Sequence, residues 1–76
     1  MTRFRFDNLL GSVGEGDTTF DALAACGGTS WANALFDRGA YTGAWDVSFP
    51  DGEAVRECGL YDGDGTHIGT FYELGL

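Results

Sequence analysis

The sequence predicts an α+β fold, a three-stranded antiparallel meander over about residues 41–74 packed against two or three short N-terminal helices. Two observations carry this. From Tyr41 to Leu74 the chain reads Y-T-G-A-W-D-V-S-F, P-D-G, E-A-V-R-E-C-G-L-Y, D-G-D-G and T-H-I-G-T-F-Y-E-L, three β-type runs separated by two Gly/Asp turns. Between Asp17 and Gly39, capping residues and glycines bracket two segments with helical apolar spacing. A length of 76 residues, 43% of them hydrophobic and eleven aromatic, is enough for one compact domain, 1–76, and too little for a second core.

Residues 1–10 fit two periods. Thr2, Phe4 and Phe6 alternate with Arg3 and Arg5 as on a strand, whereas Phe6, Leu9, Leu10 and Val13 recur as on a helix. A short extended start followed by a helical turn is expected. The next stretch, G-S-V-G-E-G, reads as a flexible connector. It lacks the lysine and spacing of a phosphate-binding loop.

Asp17 or Thr18 then caps a helix through roughly Cys26, with Phe20, Leu23 and Ala24 on its apolar face. Gly27 and Gly28 end it. Thr29 or Ser30 caps a second helix with Trp31, Ala34 and Leu35 inward, Arg38 near its negative end and Gly39 closing it.

In the meander, Pro50-Asp51-Gly52 predicts a three-residue hairpin loop in which Phe49 faces Glu53. Counting outward pairs Val47 with Val55, Asp46 with Arg56, Gly43 with Gly59 and Tyr41 with Tyr61. Asp62 to Gly65 forms the second loop. Tyr41, Trp45, Val47, Phe49, Val55, Ile68, Tyr72 and Leu74 then share the face expected under the helices. Asp46, Ser48, Arg56, His67 and Glu73 share the polar face, with Leu60 and Phe71 out of pattern.

Charge is the unusual quantity. Twelve carboxylates oppose four arginines, with no lysine, for a formal net charge of -8. A globule of this length has a radius of gyration of about 11 Å. Eight charges match about 14 Å of duplex DNA, so the two charge densities are comparable. Such a body repels nucleic acid and anionic membranes and is drawn to basic grooves that hold nucleic acid. Generic solubility or salt adaptation accounts for the composition equally well.

Other chemistry finds little support. His67 with Cys26 or Cys58 could form a nucleophilic dyad, but no oxyanion donor accompanies it. The two cysteines stand outside any C-x-x-C pattern and fit reduced, apolar thiols, a Cys26–Cys58 disulfide being the alternative. Asp62-Gly63-Asp64-Gly65-Thr66 imitates a calcium loop but places His67 where glycine is required. No enzyme activity, cofactor or metal is expected. No apolar run reaches the roughly 20 residues of a membrane span, and M-T-R-F-R-F lacks the apolar segment of a signal peptide, which predicts a cytoplasmic protein.

The partner-binding candidates are the carboxylates of the meander and its turns: Asp46, Asp51, Glu53, Glu57, Asp62, Asp64 and Glu73. Alternate residues of a strand stand about 6–7 Å apart, close to a phosphate repeat, so a rigid sheet can present acids in place of phosphates. In size, acidity, absence of lysine and expected element order, the whole chain resembles the small phage-encoded anti-CRISPR proteins, those inhibiting type I-C systems in particular. No diagnostic motif carries the resemblance, and no family residues transfer by position. It implies a monomer in the host cytoplasm that binds the crRNA-guided surveillance complex, Cascade. Occupying a basic surface of its Cas subunits would block target DNA recruitment. The alternative is an acidic interaction module of a salt-adapted or high-GC microbe, with a partner unrelated to nucleic acid.

Overall fold

A computed structural model describes residues 3–74; Thr2, expected to begin the alternation, lies outside them. The elements are β1 (Arg3–Asn8), β2 (Val13–Gly16), α1 (Thr19–Gly27), α2 (Thr29–Asp37), β3 (Tyr41–Thr42), β4 (Asp46–Ser48), β5 (Val55–Tyr61) and β6 (His67–Leu74). They form one antiparallel sheet of six strands in the order β2-β1-β6-β5-β3, with β4 also paired to β5. This corrects the expected three-stranded meander under N-terminal helices.

Two of the three additional strands are N-terminal segments, and the third arises because the run 41–49 divides into β3 and β4. The alternation of Phe4 and Phe6 with Arg3 and Arg5 wins over the helical period because β1 lies between β2 and β6, where it can bury one face. Phe6 pairs with Gly14 on one side and Phe71 on the other. The supposed connector is the edge strand β2. Its glycines alternate inward, and a Cβ at Gly14 would strike the α1 backbone at Ala22, Ala25 and Cys26. The helix therefore rests directly on the strand's backbone, a contact only glycine permits.

The helices follow the sequence more closely. Thr18 caps α1, its Oγ1 accepting the Asp21 N–H at 3.0 Å. Gly28, at φ +96°, serves both as the C-cap of α1 and as the N-cap of α2, so neither Thr29 nor Ser30 caps the second helix.

Of the residues expected under the helices, Trp45 and Ile68 do pack against the core, but the centre of the covered face is made by others. Phe6, Cys58, Leu60 and Phe71 are buried with Ala22, Leu23 and Ala32 of the helices, whereas Tyr41, Val47 and Phe49 are exposed. The Phe6 and Phe71 rings meet at 4.8 Å between centroids. Leu60 and Phe71 are thus the core rather than an irregularity. The strands expected at an apolar face form a margin that extends beyond the helices, so their outer apolar residues stay wet.

Register explains the rest. Tyr41 pairs with Tyr61, but Asp46 pairs with Glu57 and Ser48 with Val55. Gly43, Ala44 and Trp45 oppose only Cys58 and Gly59, so the extra residue bulges and shifts every later pair by one. The hairpin loop becomes Phe49–Ala54, and the expected Asp46–Arg56 contact is lost. Trp45, displaced at the bulge, lies 6.0 Å from the Phe4 ring and 5.4 Å from the Arg56 guanidinium.

Both cysteines are free. Cys58 is 3% exposed. Burial pushes its thiol from 9.0 to about 11, with Arg56 lowering and Glu57 raising it further. Burial also raises the Tyr72 phenol, with Glu57 and Asp7 adding to it and Arg5 opposing. A raised acid stays neutral in the native state after the unfolded chain has ionised. Its contribution is complete below 9.0 and is lost as pH climbs towards about 11. Urea midpoints measured across this range are expected to fall, and Cys58→Ala to flatten the decline; an equally steep fall in the variant refutes the assignment.

Candidate functional site

The sheet gathers most of the expected acids on one margin. β3 and β4 form its outer edge, and β5 runs just inside them. Asp46 and Glu57 are direct cross-strand partners, which places their Cβ atoms about 5 Å apart. Asp51 and Glu53 stand exposed in the loop at one end of β5. Asp62 and Asp64 occupy the turn at the other end, about 20 Å away along the strand.

Ion pairing divides the carboxylates. Arg3 binds Glu15 at 3.1 Å and Asp17 at 3.5 Å, Arg5 binds Asp7 at 2.9 Å, and Arg56 binds Glu73 at 3.1 Å. Glu73 is therefore neutralised in place and drops out of the acidic margin. The other six candidates have no arginine within 4 Å among the described residues. Asp21 and Asp37, on the helices, share that state. Arg38 donates from Nε to the Ala34 carbonyl at 3.2 Å, completing the end of α2.

Two of the six also hold backbone. Asp62 Oδ1 accepts the N–H groups of Asp64 and Thr66, both at 2.9 Å, so turn chemistry uses the carboxylate that imitates a calcium ligand. Asp46 Oδ1 accepts the Val47 N–H at 3.1 Å, covering a donor on the edge strand. His67 lies 5.3 Å from Tyr61, which stacks in turn on Tyr41 at 5.5 Å.

A second feature escapes a reading by periodicity. An open groove of about 880 Å³ lies at the end of the sheet where the β1–β2 and β5–β6 turns meet α2, with Leu9, Leu10, Trp31, Leu35 and Ile68 among its walls. Leu9 and Leu10 are 62% and 92% exposed on its lip. The signal in the sequence is the Leu-Leu-Gly run, which puts two large apolar side chains at a turn instead of on a helix. Among the described residues no helix is long and apolar enough to cross a membrane. Comparison with protein-family models, curated proteins and solved structures found no match to this chain.

Proposed function

We propose that the protein is an acidic nucleic-acid mimic that inhibits by binding, its β4–β5 margin occupying a basic groove built for a polynucleotide. The observation that carries this reading is the row of six carboxylates, Asp46, Asp51, Glu53, Glu57, Asp62 and Asp64. Among the described residues none of them has an arginine within 4 Å, and the guanidinium groups are engaged elsewhere. Strand pairing and the Asp62 turn fix several of these acids before any partner arrives, so little ordering entropy opposes binding. The opposed Asp46 and Glu57 cost stability in the isolated protein, a cost that a cationic partner would relieve.

The type I surveillance complex in the host cytoplasm is the target proposed for test, on the grounds of size and acidity. The six-stranded sheet removes element order from the grounds of the resemblance. The decisive measurement is competition: the protein is expected to displace duplex target DNA from purified complex, and to do so less well as salt rises. Undiminished DNA binding at saturating protein would exclude this target.

The second reading, an acidic interaction module of a salt-adapted microbe, is favoured by exposed Asp21 and Asp37 on the helices. Neither belongs to the margin. Unfolding at low ionic strength would support that reading over mimicry.

A further inference from the structure

We infer that the groove at the end of the sheet docks a segment of the protein partner that carries neighbouring large apolar side chains followed by arginine or lysine. The inference rests on the reading that the partner is basic, and it adds where that partner is gripped.

The groove is built from separate parts of the chain. Leu9 and Leu10 form one lip, Trp31 and Leu35 of α2 form a wall, and Ile68 lies at the start of β6. The described residues include six fully buried apolar side chains, yet Leu10 is left 92% exposed beside a half-buried tryptophan. Apolar surface concentrated at a concave site marks a place for contact. An occupant confined between the walls would leave the outward-projecting Leu10 wet. A protein segment laid across the lip covers both leucines.

Charge selects the segment. Asp62, held by its turn, and Asp64 line the groove together with Arg38, whose Nε is bound to the Ala34 carbonyl, so two carboxylates stand against one guanidinium and the groove is net acidic. The two acids continue the acidic margin to the point where the apolar walls begin. An apolar anchor with a basic flank satisfies both surfaces, whereas a second copy would bring another net charge of -8 against the first. The margin would then speed encounter through its field, and the groove would lengthen residence through burial.

The test uses a synthetic amphipathic leucine–lysine peptide, with oligolysine and a serine-for-leucine version as controls. In a Trp45→Phe background, Trp31 is the fluorescent reporter. The leucine–lysine peptide is expected to shift Trp31 emission to the blue, and Leu10→Ser to weaken its binding roughly tenfold or more. Because Leu10 is exposed, that variant keeps the fold. Binding unchanged by Leu10→Ser, or oligolysine binding as tightly without moving Trp31, overturns the inference. So does a concentration-dependent dimer in sedimentation that Leu10→Ser abolishes, which would make the occupant a second copy. Displacement of duplex DNA depends on the margin acids, so failure here with displacement intact removes the groove and leaves the mimic.

Discussion

Gly14→Val is expected to leave the protein largely unfolded at 25 °C. The position lies on edge strand β2, and a Cβ there meets α1 backbone at Ala22, Ala25 and Cys26. Backbone cannot rotate aside as a side-chain tip can, so the helix must lift from the sheet. Lifting it exposes Ala22 and Leu23, both fully buried. Overpacking alone costs about 1–3 kcal/mol, and uncovering a large core residue about 2–5 kcal/mol more. A domain of this length has about 4–11 kcal/mol in total. Gly14→Ala should show the same effect in weaker form, and Val13→Ala, on the solvent side, should be close to neutral. Urea titration followed by circular dichroism measures all three. Wild-type midpoints for both Gly14 variants would mean that α1 does not lie on β2, and that G-S-V-G-E-G is a connector after all.

The same segment shows why part of the fold was hidden in the sequence. Turn chemistry and helix capping are local, so Thr18, the Gly27-Gly28 break and the runs of β5 and β6 could be read from neighbours alone. β2 could not, because V-G-E-G has the composition of a loop and is a strand only by virtue of the helix above it. The bulge at Gly43–Trp45 is likewise a property of two strands together. One extra residue changed the partner of Asp46 from Arg56 to Glu57, turning an expected ion pair into a like-charge pair. Counting apolar residues along the alternation of 41–74 points to a face of which only Trp45 and Ile68 pack against the core. α1 packs on β2 and β1, and Leu60 and Phe71 are buried in one cluster with Ala22, Leu23 and Ala32 of the helices, whereas Val47 and Phe49 lie exposed. At the site, the acids could be named from the sequence but not sorted. Neutralisation of Glu73 depends on the Arg56↔Glu73 register across β5 and β6.

That sorting sets up the second large effect. Asp46→Asn, Asp51→Asn, Glu53→Gln and Glu57→Gln together are expected to weaken binding to a basic groove about 30-fold while raising the melting temperature. Exposed ion pairs are worth about 0.2–1 kcal/mol each, so four of them come to about 2 kcal/mol. The gain in stability comes from the Asp46–Glu57 pair, whose removal relieves a fraction of a kcal/mol. Asp46→Asn keeps an Oδ1 acceptor for the single Val47 N–H, whereas Asp62 is left intact because its carboxylate accepts two backbone N–H groups that close the β5–β6 turn, and changing it would confuse a binding defect with a folding one. Opposite signs make the experiment discriminating: loss of structure cannot explain weaker binding by a more stable protein. The loss should shrink as salt rises, because charges beyond roughly 8 Å are screened at physiological ionic strength. A matched control replaces Glu15, Asp17, Asp21 and Asp37, changing net charge by the same amount away from the margin. Equal weakening by the control would show that total charge, and not the arrangement on the sheet edge, drives association; mimicry by a fixed row of carboxylates would then fail.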